Sequence, residues 1–155
     1  MPTVSRTYTV SPPPDVVVGY LKDFGHAVQW DPGTRTCERI DSGPVAEGAF
    51  WHSVSKIFGV TAELTYKLEE LTDRRVVFVG ENQWLRAIDT ITVSAEGSGS
   101  VITCVAELEM HGTAMLLRPV MKLLFDKRAG DTEKRMTTVL NALATTGNQA
   151  GGARR

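Results

Sequence analysis

The chain has 155 residues, a length that fits one domain with a single hydrophobic core. Lys and Arg total 17 and Asp and Glu total 18, so the formal net charge is −1 and the basic footprint of a nucleic-acid-binding protein is missing. Cys37 and Cys104 are too few and too far apart in sequence to indicate a disulfide framework or a zinc-ligand spacing.

The first predicted element is a strand over residues 4–11, where apolar and polar residues alternate. Pro12-Pro13-Pro14 ends that strand and opens a helix, for which Ser11 is the candidate cap. Gly25 breaks this helix, and a second short helix is predicted to run to Trp30. The dipeptide Asp31-Pro32 ends the second helix, because the residue before a proline is pushed out of the α region.

The segment between Arg35 and Met110 predicts a meander of six strands. The breaks between them are short and rich in turn-forming residues, so neighbouring strands are expected to pair as antiparallel hairpins. The predicted strands cover residues 35–42, 48–57, 60–71, 75–81, 86–95 and 100–111.

Apolar residues recur at steps of three and four between Met115 and Leu143, which predicts one long amphipathic helix of roughly 45 Å. Pro119 falls near its start, where it can begin or kink the helix, and Gly130 weakens its middle by about 1 kcal/mol. Residues 145–155 are rich in glycine and polar residues, which predicts a disordered tail after a folded domain of residues 1–144.

This order of elements predicts an α+β fold. A seven-stranded, curved antiparallel sheet wraps around the long C-terminal helix, and two short helices lie between strands 1 and 2. A sheet with one apolar face must bury it, and the terminal helix is the only large partner in the chain.

The order of elements and several local sequences resemble the START / Bet v 1-like (SRPBCC) superfamily, in particular its bacterial polyketide cyclase/dehydrase branch. The resemblance implies a helix-grip fold with a hydrophobic cavity between sheet and helix. It does not imply a reaction, because the family covers lipid carriers, hormone binders, regulators and a minority of enzymes. The sequences that carry the resemblance span nearly the whole chain: Ser11-Pro12-Pro13-Pro14-Asp15-Val16, Trp30-Asp31-Pro32, Gly43-Pro44-Val45-Ala46-Glu47-Gly48-Ala49-Phe50, Arg74-Arg75-Val76-Val77-Phe78, Asp89-Thr90-Ile91-Thr92-Val93 and Leu116-Leu117-Arg118-Pro119.

Strand 48–57 leaves open which of its faces points towards the helix. Either Phe50, His52 and Val54 point inwards, or the alternate set that includes Trp51 and Ser53 does. A two-residue turn at Phe58-Gly59 would pair Trp51 with Tyr66 and Ser53 with Leu64, and we prefer this second register.

The inward residues predict a ligand site, and the alternative is a core in which the same side chains pack without a gap. Polar anchors on an otherwise apolar wall favour the ligand site, and Trp30 and Trp84 are candidates to gate its entrance. The predicted ligand-binding residues are Trp30, Trp51, Ser53, Leu64, Tyr66, Phe78, Trp84, Ile91, Cys104, Leu117, Met121, Leu124 and Phe125.

Catalytic chemistry has weak candidates in Tyr66, Asp89 and Ser53. If Asp89 points inwards, burial would raise the pKa of its carboxyl, and it could then act as a base. No nucleophile elbow, phosphate loop or dinucleotide fingerprint occurs in the sequence.

Two further constellations are interpreted as solvated surface. Glu107, Glu109 and His111 alternate on the outer face of the last strand at steps of about 6.6 Å, which is a poor metal-ligand spacing. His52 and Glu63 are expected to form an exposed pair. We therefore expect no metal and no cofactor.

Three functions remain open. The first is binding or transport of a hydrophobic small molecule of lipid, polyketide or isoprenoid type. The second is a polyketide cyclase/aromatase or dehydratase, and the third is a protein-interaction module with a filled core. The expected partner is the small molecule, with no nucleic acid and no integral membrane association, and the protein is expected to be a cytoplasmic monomer or homodimer because the sequence has no signal-peptide or membrane-span pattern.

Overall fold

A computed structural model describes the backbone of residues 3–57, 60–112 and 118–153, and the side chains of 3–56, 61–112, 119, 123 and 126–143. The strands are β1 (Thr3–Val10), β2 (Thr34–Arg39), β3 (Phe50–Ile57), β4 (Val60–Leu71), β5 (Arg75–Glu81), β6 (Leu85–Glu96) and β7 (Gly99–Met110). The helices are α1 (Pro14–Leu21), α2 (Ala27–Trp30) and α3 (Arg118–Ala153), with a 3₁₀ turn at Phe24–His26 between α1 and α2.

The seven strands form one antiparallel sheet in the order β1-β7-β6-β5-β4-β3-β2. Strands β2 to β7 follow one another as hairpins, and β1 pairs with β7 at the far side. The predicted fold is therefore confirmed: two short helices separate β1 from β2, and the long helix α3 follows the last strand.

The two short helices begin and end at residues that fix the backbone locally. Pro14 occupies the first turn of α1, and its cap is Pro13, whose backbone is extended and makes no side-chain capping bond. The prediction that Ser11 caps α1 is wrong, because the helix starts too late for its side chain to reach; the Ser11 N–H instead donates to Asn141 Oδ1 at 2.8 Å. Asp31 leaves the α region before Pro32, as predicted (φ −101°, ψ 115°).

Helix α3 has 36 residues and a length of about 54 Å. Pro119 lies in its first turn as described, where a missing backbone N–H costs nothing. The helical backbone continues to Ala153 and so includes most of the segment 145–155. The end of the helix therefore does not coincide with the domain boundary expected at residue 144, and the disorder of the tail stays a prediction.

The register between β3 and β4 decides which face of β3 points inwards. Trp51 pairs with Tyr66 and Ser53 pairs with Leu64. Trp51 and Ser53 are 0% and 1% exposed, whereas His52 is exposed. The preferred register is confirmed, because side-chain parity follows directly from pairing.

An aromatic cluster organises the inner face. The Phe24 ring lies 4.2 Å from the Tyr66 ring and 4.6 Å from the Phe78 ring, centroid to centroid. Trp51 meets Phe78 edge-on at 5.8 Å. Gly80 lies opposite Tyr66 on β5, and a Cβ atom at this glycine would come within 2.5 Å of the Tyr66 ring. Tyr66 is thus confined between Phe24 and a strand position that has no side chain.

We predict that Gly80→Ala destabilises the protein by about 1–3 kcal/mol, because the added methyl must push Tyr66 out of its place. The matched control is Gly19→Ala in α1, where a Cβ atom meets nothing within 4 Å and should stabilise the helix by about 0.5–1 kcal/mol. Urea unfolding midpoints at unchanged m-value measure both effects. Equal midpoints for the two variants would contradict the close approach of Tyr66 to Gly80.

Candidate functional site

The candidate site lies on the inner face of the central strands. Asp89 on β6 is flanked by Phe78 on β5 and Ala106 on β7, so these three residues form one row across the sheet. Ile91 and Cys104 form part of the next row. The sheet therefore brings a carboxyl and a thiol into an otherwise apolar wall.

Part of this inner face is left uncovered. Ala87, Asp89, Cys104 and Ala106 are only half-buried although they lie on central strands, whereas Phe78 beside them is fully buried. Among the described residues, the backbone of α3 comes nearest to β1, at the edge of the sheet, and to α2. Met136 and Leu140 of α3 are buried in the core cluster, so the helix also covers part of the inner face.

An ion pair ties α3 to the end of α2. Arg128 on α3 places its Nε 2.9 Å from Asp31 Oδ1, and its Nη2 contacts Asp31 Oδ2. The Asp31 carboxylate also accepts hydrogen bonds from the Gly33 N–H at 3.1 Å and the Thr34 hydroxyl at 2.8 Å. Such a two-point contact between guanidinium and carboxylate fixes orientation as well as charge.

Sequence reasoning missed this pair. The signal was available in part, because Arg128 lies four residues after Leu124 and eight before Met136. That spacing places a cation on the apolar stripe of the helix. Its partner Asp31 was noted only for ending α2.

Burial and neighbouring charges alter the acidity of Asp89. Its pKa is raised to about 7, first by burial and second by the negative charge of Asp31, while the positive charge of Arg128 opposes the rise. Burial also raises the pKa of the Tyr66 phenol, with a smaller contribution from Asp89. Tyr66 therefore stays protonated, and Asp89 is able to hold or release a proton near neutral pH.

A second polar contact joins β1 to α3 through sulfur. The Tyr8 hydroxyl lies 3.3 Å from Cys104 Sγ and donates to Met136 Sδ at 2.6 Å. Burial raises the pKa of the Cys104 thiol to about 12, so it remains a thiol and is a poor nucleophile. Tyr8 was not among the predicted site residues, although its inward parity on β1 follows from its pairing with Ile102.

The predicted ligand-binding residues separate into three groups. Trp30, Trp51, Leu64, Tyr66, Phe78 and Ile91 belong to one buried cluster, and half-buried Cys104 packs against it. Trp84 is 49% exposed on the β5–β6 turn, apart from that cluster. Trp30 is buried in the core on α2, and its role at an entrance stays a prediction. Leu117 lies outside the described residues, as do the side chains of Met121, Leu124 and Phe125.

Two buried polar atoms of the cluster lack hydrogen bonds. Ser53 Oγ and Trp30 Nε1 have no partner in the part of the chain that the structure describes. By contrast, the indole N–H of Trp51 donates to Asp23 Oδ1 at 3.2 Å. Such atoms are rare in folded proteins, because a buried donor without a partner costs free energy.

The residues predicted to form solvated surface lie outside this site. His52 Nε2 is 3.2 Å from Glu63 Oε1, and both side chains are about half exposed. Glu109 forms an ion pair with Arg86 at 3.8 Å. Among the described residues, no group of three or more His, Cys, Asp or Glu side chains is arranged to hold a metal ion.

A separate groove of about 440 Å³ lies at the turn between β6 and β7, beside the end of β1. It is open to solvent and mostly polar, and none of the predicted ligand-binding residues lines it. Its lining consists of Thr9, Val10, Ser11, Glu96, Ser98, Gly99, Ser100 and Asn141.

Residues 1–146 match the family described as "Polyketide cyclase / dehydrase and lipid transport". The chain belongs to this family. Among curated protein sequences, none matches the chain. Within the described residues, no helix of this family member is both long and apolar enough to cross a bilayer.

Solved structures of low sequence identity share the fold. The protein TTHA0849 from Thermus thermophilus has a TM-score of 0.77 at 17% identity, over 92% of this chain and 99% of that one. A START superfamily protein from Mycobacterium smegmatis has a TM-score of 0.75 at 13% identity, over 91% and 98%. Zhui aromatase/cyclase from Streptomyces sp. R1128 has a TM-score of 0.71 at 12% identity, over 92% and 93%. At such low identity, the structural similarity establishes that this chain has the helix-grip fold and does not establish a shared function.

We predict that Arg128→Met lowers the free energy of unfolding by about 2–3 kcal/mol, because Asp31 keeps its burial and loses its cation. Arg6→Met is the control, since the Arg6 contact with the Asp126 carbonyl is exposed and 3.4 Å long, and its effect should stay within about 0.5 kcal/mol. A double-mutant cycle with Asp31→Asn measures the coupling by urea unfolding. Additive effects of Arg128→Met and Asp31→Asn would contradict the ion pair.

We predict that Asp89 makes the protein less stable as pH rises from about 4 to 7. The pKa of Asp89 in the folded protein, about 7, exceeds its ordinary value of 3.8, so the folded state binds the proton more tightly and loses that advantage as the proton is released. Asp89→Asn should remove this slope from the urea midpoints, whereas Asp73→Asn on an exposed turn should leave it. A carboxyl ¹³C titration of Asp89 with a midpoint near 4 would contradict the prediction.

Proposed function

We propose that this protein binds a hydrophobic small molecule of lipid, polyketide or isoprenoid type between the inner face of its sheet and helix α3. The observation that carries the proposal is the partial exposure of Ala87, Asp89, Cys104 and Ala106 on central strands of the sheet. Inner-face residues at the centre of a sheet are expected to be packed against a covering layer. An apolar guest would supply the contacts that the covering elements leave unmade at these residues.

The composition of this wall supports an apolar guest with a few polar groups. Phe78, Ile91 and Leu64 provide the apolar surface, and Tyr66 and Asp89 provide polar anchors. Ligand pockets generally combine a largely apolar lining with a small number of fixed polar groups. Membership in a family that includes lipid transport agrees with this use.

A second candidate, a polyketide cyclase, aromatase or dehydratase, is favoured by one specific observation. Asp89 has a pKa of about 7, and Tyr66 and Arg128 lie close enough to influence or be influenced by it. A carboxyl that exchanges its proton near neutral pH suits general acid or base work on a bound carbonyl compound. The aromatase/cyclase named Zhui shares the fold. Binding of the compound is the first requirement of both candidates.

The third hypothesis, an interaction module with a filled core, is less well supported. A filled core would leave little accessible surface at Asp89 and Ala106, and both retain some. The oligomeric state and the cytoplasmic location of the protein stay predictions.

Native mass spectrometry of the purified protein tests the proposal, because an apolar compound acquired during expression should travel with the folded chain. Cys104→Trp should fold and lose the compound, since a large ring at the half-buried Cys104 position would occupy the gap. Leu64→Trp adds bulk on β4 and should act in the same direction. Thr92→Trp on the exposed outer face of β6 is the control and should keep the compound. Retention by Cys104→Trp at wild-type level would refute an inner binding site.

A further inference from the structure

The two buried polar atoms without partners lie against the same aromatic cluster. The Trp30 ring meets the Phe24 ring edge-on at 6.1 Å, and Phe24 also lies beside Tyr66 and 6.3 Å from the Trp51 ring. Ser53 shares the inner face of β3 with Trp51, two residues along the strand. Trp30 reaches the cluster from α2, and Ser53 reaches it from the sheet.

Both residues are enclosed. Ser53 is 1% exposed and Trp30 is 7% exposed, so neither polar atom can be satisfied by bulk solvent. An indole N–H can only donate a hydrogen bond, and a serine hydroxyl can donate one. Trp30 on α2 and Ser53 on β3 therefore each have a hydrogen-bond donor that a ligand with an acceptor atom could satisfy.

We infer that Trp30 Nε1 and Ser53 Oγ form a donor subsite that takes a neutral carbonyl oxygen of an apolar ligand. This inference rests on the proposed function, and it adds the chemical class of the ligand: a ketone, ester or similar carbonyl compound, in preference to a hydrocarbon. A carbonyl oxygen has two lone pairs and can accept a hydrogen bond from an indole N–H or from a hydroxyl.

The charges of the region favour a neutral acceptor over a carboxylate. Asp31 follows Trp30 directly and already binds Arg128 through both carboxylate oxygens. The negative charge of Asp31 is felt across the interior, since it raises the pKa of Asp89. A second anion beside Trp30 would meet the same repulsion, whereas a carbonyl dipole would not.

The test compares two pairs of probe compounds that differ only at the carbonyl group: 9-fluorenone with fluorene, and 2-undecanone with undecane. Dissociation constants are measured by calorimetric or fluorescence titration of the full-length protein. We expect the carbonyl member of at least one pair to bind about tenfold more tightly, which corresponds to about 1.4 kcal/mol. Ser53→Ala and Trp30→Phe should each reduce the ratio of carbonyl to hydrocarbon affinity several-fold. Ser94→Ala, on the exposed side of β6, should leave both affinities unchanged.

The carbonyl stretch of bound fluorenone gives a readout that a purely structural role of these residues would not move. Its infrared band should shift to lower frequency in the wild-type protein and return in the Ser53→Ala and Trp30→Phe double variant. Hydrocarbon binding by the same variant shows that the fold and the gap are intact.

The possible failures are distinguishable. Equal affinities within each pair, as expected if a buried water satisfied both donors, would overturn the carbonyl subsite and leave the proposed function standing. A carbonyl preference that persists in the double variant would also overturn the subsite. If none of the four compounds binds, the proposed function fails and the subsite fails with it.

Discussion

The structure depends on one constraint: a seven-stranded sheet has a broad apolar inner face, and the described part of the chain has one long helix with which to cover it. The short elements α1, the 3₁₀ turn and α2 cover one side of this face and bring Phe24 and Trp30 to the aromatic cluster. Helix α3 comes nearest to β1 and α2 and buries Met136 and Leu140 in the core. Between the short helices and α3, central residues of the sheet such as Asp89 retain accessible surface. The candidate site follows from this shortage of covering layer and not from a dedicated catalytic motif.

The polar contacts hold the covering elements in place. The Asp31–Arg128 pair joins α2 to α3, and the Tyr8 hydroxyl joins β1 to Met136 on α3. Both contacts fix the position of α3 over the inner face, and the Tyr8 hydroxyl also lies beside Cys104 on β7. The desolvation cost of the Asp31–Arg128 pair is offset by further hydrogen bonds to Asp31, which is the condition under which a largely buried ion pair is tolerated.

The sequence was sufficient for the fold and only partly sufficient for the site. Alternation along the strands and the two-residue connection at Phe58-Gly59 predict that Trp51 and Ser53 share a face, because parity and register are local properties. The contact of Arg128 with Asp31 joins residues 97 positions apart, and no local pattern encodes it. Trp30 was considered for an entrance because it lies next to a loop, and periodicity in a segment as short as α2 cannot tell a core residue from a rim residue.

Interior polar groups distinguish a binding site from a packed core. A core selected only for stability would gain by replacing Asp89 with an apolar residue, because burial of a carboxyl is unfavourable and raises its pKa to about 7. The same reasoning applies to Ser53, whose hydroxyl is buried without a partner in the described part of the chain although an alanine would fit. Trp30, which packs against Phe24 of the same aromatic cluster, adds a third group whose polar atom is unused. Three costs of this kind, two on the inner face of the sheet and one on α2, agree with selection for an occupant that supplies the missing contacts.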